Sequence, residues 1–174
     1  MRTYRLNALN AKIRNIILIC LAFEVCATDG LTVWAALAQI VVMKKLKVLS
    51  ADMVACARAR IEEIETTDLI SMVDDAEVVI VDIRDVRERD RGYIPGSIHA
   101  PRGMIEFWVD PDSPYFKPVF GQDKKYVFHC ASGWRSALTV ATLQDMGFDA
   151  SHLRFGFNAW VDAGGPIDVS DAKL

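Results

Sequence analysis

The segment that most constrains this chain covers residues 126–146, where a short apolar run meets a polar turn and then a helical pattern. Residues 126–128 are large and apolar in succession, as in a strand buried on both faces. Apolar side chains then recur at helical spacing over 138–146, and Gly147 supplies a C-terminal stop. The pattern predicts a strand that leads, through the turn 130–135, directly into a helix.

Cys130 stands at the junction of this strand and helix. Backbone N–H groups of the turn, the positive end of the helix dipole and the guanidinium of Arg135 would all face its sulfur. Such surroundings favour the thiolate, which is the nucleophilic form of cysteine. A cysteine that only packs in the core is the ordinary alternative, but a basic turn with Gly133, Arg135 and Ser136 has no place in an apolar core. We therefore expect Cys130 to be reactive.

Further apolar patterns predict the rest of the fold. The β-branched run 78–81 is typical of a central parallel strand covered on both faces. Buried strands alternate with helical patterns, which predicts a three-layer α/β domain with a parallel sheet of about five strands and helices on both faces. Cys130 would lie at the carboxyl edge of that sheet.

Shorter elements are expected around this sheet. They are a helix over 51–60 capped by Ser50, a short strand or helix exit at 61–64, a helix over 68–73 capped by Thr66 or Thr67, an exposed helical face of mixed charge at 87–91, a short strand at 98–101, a last strand at 151–154, and a last helix at 157–160 with Trp160 packed inward.

Five stretches of the chain form a recognisable series: VVIVDIRD at 78–85, GYIPGSIHAP at 92–101, CASGWRS at 130–136, GFNAW at 156–160 and AGGP at 163–166. In order and spacing they resemble the rhodanese family of sulfurtransferases, in its single-domain bacterial form. The resemblance spans residues 61–168, which is the length of a whole domain. Phe155 departs from the family, which more often has glycine before Gly156, and this puts the local turn geometry in question.

The resemblance implies a reaction and a set of site residues. The Cys130 thiolate would take a sulfane sulfur from thiosulfate or a similar small donor, become a persulfide, and pass the sulfur to cyanide, a small thiol or a protein thiol. No metal or organic cofactor is implied. The residues expected to take part are Cys130 and Arg135 in catalysis, Ala131, Ser132, Gly133, Trp134 and Ser136 in substrate binding, and Asp82 and Arg84 in structural support.

The size of the active loop separates two kinds of chemistry. Four residues lie between Cys130 and Arg135, whereas dual-specificity phosphatases of similar fold and the related arsenate reductases have five. A shorter ring suits a sulfur atom, while a tetrahedral phosphate or arsenate needs room for its oxygens. Persulfide transfer is therefore favoured over phosphatase or arsenate reductase activity. A rhodanese-like module that binds proteins or relays persulfide, without turnover of small donors, is the remaining alternative.

Two histidines and an aromatic insert have less specific patterns. His129 would point to the opposite strand face from Cys130, so we interpret it as structural, and we interpret His99 in the same way. The insert at 104–125 either packs its aromatic rings on the sheet edge or forms an apolar wall or subunit contact beside the active loop. Its rings are Phe107, Trp108, Tyr115, Phe116 and Phe120.

Composition and cysteine spacing exclude several functions. The 174-residue chain has a net charge of −3, which gives no basic surface for nucleic acid. Its four cysteines show neither a metal-ligand spacing nor a C-x-x-C pair, so a zinc site and a disulfide framework are not indicated. Because Cys130 is the only cysteine within 61–168, a reducing compartment suits it best.

The first 43 residues carry most of the apolar excess and fall outside the resemblance. They allow three interpretations: a non-native or disordered extension ahead of Met43, a signal peptide, or a membrane anchor. We expect a cytoplasmic protein, with export or membrane association as the alternative if residues 1–43 are native. The predicted organisation is this extension at 1–43, a lead-in helix at 44–60, the rhodanese-like domain at 61–168 and a loose tail at 169–174.

Overall fold

The computed structural model describes residues 46–169, which form a parallel five-stranded sheet with helices on both faces. The strand order is β1-β5-β4-β2-β3, and all neighbouring strands are parallel. The predicted fold class is confirmed. The strands are β1 (Glu62–Ile64), β2 (Val78–Asp82), β3 (Ile98–His99), β4 (Lys125–His129) and β5 (Ser151–Leu153), and the α-helices are α1 (Ser50–Arg58), α2 (Thr66–Ser71), α3 (Val86–Arg89), α4 (Ile105–Val109), α5 (Trp134–Asp145) and α6 (Gly156–Asp162).

Side chains of β4 alternate between two hydrophobic cores. Tyr126 and Phe128 face the core that α1, α4 and α5 cover, whereas Val127 faces the core that α2 and α6 cover. This period of two follows from the pleat of the strand. It places Cys130 on the α5 side and His129 on the α6 side, where the His129 ring stacks on Phe157. The prediction that these neighbours face opposite ways is confirmed.

Two of the predicted helix starts are wrong. Leu49, and not Ser50, is the N-cap of α1, and it makes no side-chain capping bond. Helix α2 begins at Thr66 with Glu65 as its N-cap, again without a side-chain capping bond, and it ends at Ser71 instead of Val73. In both cases the helix gains its stability from burial of apolar side chains, Val54 and Ala57 in α1 and Leu69 in α2, so that a polar cap is not needed to start it.

The aromatic insert divides between the core and the surface. Phe120 is buried and packs against Tyr126 and Phe128, with ring centroids 5.8 and 6.4 Å apart. Phe107 and Tyr115 form an exposed edge-to-face pair at 6.4 Å. The insert therefore fills the edge of one core and also presents aromatic surface.

The expectations for residues 1–43 lie outside the described residues. Within 46–169, no helix has the length and apolar character needed to cross a bilayer. Helix α1 packs against α5, and its last residue, Arg58, reaches the neighbourhood of the active loop.

Candidate active site

Cys130 follows directly after β4 and is almost completely buried, with 1% of its surface exposed. The Gly133 N–H donates to the Cys130 Sγ across 3.2 Å, and the Ser136 hydroxyl lies 3.6 Å from the same sulfur. Both groups belong to the turn and first residues of α5, whose N-terminus carries partial positive charge. The arrangement stabilises negative charge on the sulfur.

Helix α6 is hydrogen-bonded to the backbone of the active loop. The Phe157 N–H donates to the Cys130 carbonyl at 2.8 Å, and the Asn158 N–H donates to the Ala131 carbonyl at 2.9 Å. Gly156 makes this close approach possible, because a Cβ there would lie 2.5 Å from the Cys130 carbonyl oxygen and 2.8 Å from the Ala131 carbonyl carbon. Its φ of +68° is also one that glycine adopts without strain.

The turn before α5 likewise depends on a glycine. Gly133 is the N-cap of α5 with a φ of +83°, and a Cβ there would collide with the Arg154 carbonyl oxygen. Its neighbours Ser132 and Trp134 are exposed, with Trp134 47% accessible. The loop therefore exposes these two side chains, whereas the Cys130 side chain is buried.

Phe155 stands where the family more often has glycine, yet its backbone is ordinary, with a φ of −111°. The exposed ring lies between two guanidinium groups, 5.9 Å from that of Arg58 and 5.1 Å from that of Arg154. The substitution thus adds a cation–π cluster beside the active loop instead of straining the turn.

The sequence predicted that the Arg135 guanidinium faces the Cys130 sulfur, but in the structure it also pairs with Glu88. Its guanidinium makes two parallel bonds to Glu88, with both nitrogen–oxygen distances at 2.8 Å. The hydrogen bonds to Glu88 are the main reason that the pKa of Arg135 is raised, and nearby Cys130 raises it further. The same bonds lower the pKa of Glu88 below its ordinary value. The interpretation of 87–91 as an exposed charged face is wrong for Arg89, whose side chain is 14% exposed and binds Asp82 and Ser97, whereas Glu88 is 37% exposed and pairs with Arg135.

A local signal for Glu88 was present in the sequence. Asp85 and Glu88 have the spacing of a capping box, and the structure contains one: Asp85 accepts from the Arg87 N–H, and Glu88 accepts from the Asp85 N–H. The box fixes Glu88 at the start of α3. Its link to Arg135, 47 residues away, arises only in the folded chain.

The sequence profile of the rhodanese-like domain matches residues 65–163, which cover the active loop and strands β2 to β5. The chain belongs to this family. It is 33% identical over 101 residues to a putative sulfurtransferase, YtwF, of Bacillus subtilis, an alignment covering 58% of this chain and 90% of the relative. A sulfurtransferase of Allochromatium vinosum is 32% identical over 109 residues, covering 62% of this chain and 94% of the relative. These relatives support a sulfurtransferase.

Solved structures agree with the fold. A rhodanese-like domain protein from Staphylococcus aureus is 32% identical, with a TM-score of 0.51, and the match covers 63% of this chain and 98% of the other. A protein of unknown function from Rhodopseudomonas palustris, described as a possible tyrosine phosphatase, is 50% identical with a TM-score of 0.69, covering 72% of this chain and 98% of that one.

In this rhodanese-like domain, Asp82 and Arg84 form a buried ion pair on the α6 side of the sheet. The Arg84 Nη2 donates to Asp82 Oδ2 and to the Gly92 carbonyl, each at 2.7 Å, and its guanidinium lies 3.9 Å from the Phe157 ring centroid. Burial raises the pKa of Asp82, but the hydrogen bonds and charge of Arg84 together with the charge interaction with His129 outweigh it, so that the pKa is lowered. Because the Phe157 N–H binds the Cys130 carbonyl, this pair is connected to the active loop by one residue.

His152 and Glu63 were not among the site residues predicted from the sequence. His152 is fully buried on β5; its Nδ1 lies 3.2 Å from the Ser136 Oγ, and its Nε2 lies 2.9 Å from Glu63 Oε1. His99 instead binds the Arg84 carbonyl at 2.9 Å. Within 46–169, no three His, Cys, Asp or Glu side chains are grouped so as to hold a metal ion.

Proposed function

We propose that this rhodanese-like protein transfers sulfane sulfur through a persulfide on Cys130. The Cys130 thiolate attacks the outer sulfur of thiosulfate, a new S–S bond forms, and the old S–S bond breaks so that sulfite leaves with its electron pair. Cyanide or a thiolate then attacks the outer sulfur of the persulfide. The sulfur departs on the acceptor, and Cys130 returns as a thiolate.

The observation that carries this proposal is the position of the sulfur at the mouth of α5. The Gly133 N–H lies 3.2 Å from the Sγ, and the Ser136 hydroxyl lies 3.6 Å from it. The backbone carbonyls of Cys130 and Ala131 accept hydrogen bonds from N–H groups of α6. The same donors would stabilise a persulfide anion, since a terminal sulfur carries the charge that the thiolate had. Ser132 and Trp134 would contact the donor at the loop surface.

Arg135 would attract the anionic donor and stabilise the departing sulfite. Its two bonds to Glu88 fix the guanidinium plane, and a planar guanidinium has five N–H donors, so others remain for the substrate. Asp82 and Arg84 would brace the loop through Phe157. A yeast relative that is 33% identical over 97 residues, covering 52% of this chain and 70% of its own length, is a thiosulfate:glutathione sulfurtransferase, which makes a small thiol a reasonable acceptor to test.

Intact-protein mass spectrometry before and after thiosulfate tests the proposal. We expect reduced protein to gain the mass of one sulfur atom, and cyanide or a thiol to remove it. Cys130→Ser should lose the gain, whereas Cys56→Ser, which changes the exposed cysteine on α1, should keep it. No gain on wild-type protein would contradict the proposal and favour a protein-binding or persulfide-relay module.

A cysteine phosphatase is the second candidate, because the Rhodopseudomonas protein that is 50% identical is described as a possible tyrosine phosphatase. The four-residue spacing between Cys130 and Arg135 argues against it. Turnover of p-nitrophenyl phosphate that disappears in Cys130→Ser would support the phosphatase instead.

We infer that residues 61–168 carry this reaction. We also infer that it takes place in a reducing, cytoplasmic setting, because every cycle of transfer must return Cys130 as a free thiolate. N-terminal sequencing of the native protein tests the setting. A mature start near Thr28 would contradict it, and a start at Met43 would support it.

A further inference from the structure

A continuous row of polar side chains leads away from the Cys130 sulfur. The Ser136 Oγ lies 3.6 Å from the Sγ and 3.2 Å from the Nδ1 of His152, and the Nε2 of His152 lies 2.9 Å from Glu63 Oε1. The four groups come from the active loop, α5, β5 and β1. Three successive contacts therefore connect the nucleophile to a carboxylate on the first strand.

Burial gives this row a direction. Cys130, Ser136 and His152 are all buried, with exposed fractions of 1, 0 and 0%, whereas 22% of the Glu63 side chain is accessible. A proton that leaves the Cys130 thiol has little direct access to water. The row ends where the fold meets solvent, so it is a path along which the proton can depart.

The donors and acceptors along the row are mutually consistent. Glu63 accepts from the Nε2–H of a neutral His152, which leaves Nδ1 with a lone pair. The Ser136 hydroxyl can then donate to Nδ1 and accept from the thiol. In the reverse arrangement, Nδ1–H donates to the Ser136 Oγ and the hydroxyl donates to the thiolate, so that one serine serves both states.

We propose that Ser136 and His152 form a proton relay that takes the Cys130 thiol proton towards Glu63, and that His152 thereby sets the fraction of Cys130 present as thiolate. The S–H bond breaks as a new O–H bond forms on Ser136, and the original Ser136 proton forms an N–H bond on His152 Nδ1. No oxidant or cofactor is required. His152 acts through Ser136 and is a positioning residue for this proton.

Charges around His152 suit this exchange. Burial lowers the pKa of His152 below its ordinary value, and the Arg58 guanidinium lowers it further, while the Glu63 carboxylate opposes both. Glu63 in turn forms ion pairs with Arg58 at 3.1 Å and with Arg154 at 3.4 Å. His152 is therefore neutral before the thiol ionises, and Glu63 is held in place to balance the imidazolium that forms.

The pH dependence of Cys130 alkylation by iodoacetamide tests the relay, because alkylation measures the thiolate and does not require sulfur transfer. Peptide mass spectrometry on the full chain assigns the modified cysteine. We expect His152→Asn and Glu63→Gln to move half-maximal alkylation to higher pH by about one unit, and to slow alkylation at pH 7 by about tenfold. Glu63→Gln keeps a hydrogen-bond acceptor beside Nε2 and removes only the charge.

Glu65→Gln is the matched control. Glu65 pairs with Arg154, as Glu63 does, but His152 binds Glu63. Its profile should coincide with that of the wild type. Glu63→Gln is the second variant in case His152→Asn disturbs the buried site, and coincident profiles for Glu63→Gln and wild type would overturn the relay.

The relay rests on the proposed function only in that Cys130 is the nucleophile, and the two can fail separately. Thiosulfate treatment of the same samples distinguishes them. A wild-type sulfur gain with unshifted alkylation profiles overturns the relay alone. Shifted profiles without any sulfur gain support the relay and overturn the sulfurtransferase proposal.

Discussion

Two buried histidines lie on adjacent strands of the sheet and differ in their hydrogen-bond partners. His129 on β4 faces α6, and neither of its ring nitrogens has a hydrogen-bond partner among the described residues. His152 on β5 is bonded at both nitrogens, to Ser136 and to Glu63. Burial lowers the pKa of both rings, that of His129 to about 4.

The difference shows that burial alone does not give a histidine its role. The Asp82 Oδ2 lies 3.8 Å from the His129 Nε2, too far for a hydrogen bond, and Asp82 accepts its bonds from Arg84 and Arg89 instead. His129 is therefore a neutral ring packed on Phe157, whereas His152 is part of a hydrogen-bonded row that reaches the Cys130 sulfur. Phe157 connects the two regions, because its ring contacts His129 and its N–H holds the Cys130 carbonyl.

Gly156→Ala should have the largest effect, since a side chain at this position would push α6 and the Cys130 loop apart. The new Cβ would lie 2.5 Å from the Cys130 carbonyl oxygen, at a φ of +68°. We expect a loss of about 3 kcal/mol in unfolding free energy and a fall of about 100-fold in sulfur transfer, because a displaced loop misaligns the sulfur. Denaturant unfolding and turnover assays measure the two effects.

Gly147→Ala is the control for backbone strain alone. Gly147 has a φ of +86°, but a Cβ there meets nothing within 4 Å. It should lose stability while keeping sulfur transfer, and equal loss of activity in both variants would show that the contact with Cys130 does not matter.

The pH dependence of stability should next reveal the burial of His129. The unfolded chain binds a proton at His129 near pH 6.5, while folded His129 resists it until about pH 4. Unfolding free energy should therefore decrease by about 3 kcal/mol as the pH falls through this window. His129→Leu should remove that part of the slope, as measured by urea unfolding at several pH values.

His99→Asn is the corresponding control, because His99 is only half-buried and bonds to the Arg84 carbonyl. It should retain the part of the slope that His129 contributes. A slope that persists unchanged in His129→Leu would show that other groups, such as the Asp82–Arg84 pair, determine the acid sensitivity.

Turnover should depend on His152 and hardly at all on His129. His152→Asn is expected to lower thiosulfate-dependent turnover at pH 7 by about tenfold, with the deficit closing as the pH rises and thiolate forms without the relay. His129→Leu should change turnover by less than about twofold at pH 7, where its ring is already neutral. Equal deficits at every pH would mean that His152 only supports the structure.

Glu88→Gln should have the smallest effect and affects only the Cys130 region. The amide keeps a bond to Arg135 but removes a negative charge from the approach of an anionic donor. We expect kcat/KM for thiosulfate to rise about threefold at low salt, and the gain to decline as salt screens the charge.

Glu62→Gln makes the same charge change at the far end of the sheet, beside Lys125, and should leave kcat/KM unchanged. A decrease in Glu88→Gln would contradict the electrostatic argument and show that the bidentate bond is needed to position Arg135.

Local patterns in the sequence determined much of this protein. The period of two in β4 placed Cys130 and His129 on opposite faces, and the succession of strand, turn and helix placed Cys130 at the N-terminus of α5. The same patterns, with the resemblance, predicted the parallel α/β sheet. They predicted the helix caps of α1 and α2 wrongly, because burial of apolar faces started those helices without a polar cap.

Only the tertiary structure decided which distant side chains meet. Glu63 and His152 are 89 residues apart, yet they are partners in the register of the parallel strands β1 and β5. Glu88 and Arg135 meet because α3 and α5 both begin at the carboxyl edge of the sheet, following β2 and β4. Strand order and register depend on the packing of the whole core, so no local spacing contains them. The sequence by itself predicted Cys130 as the nucleophile, and the fold decided which distant side chains surround it.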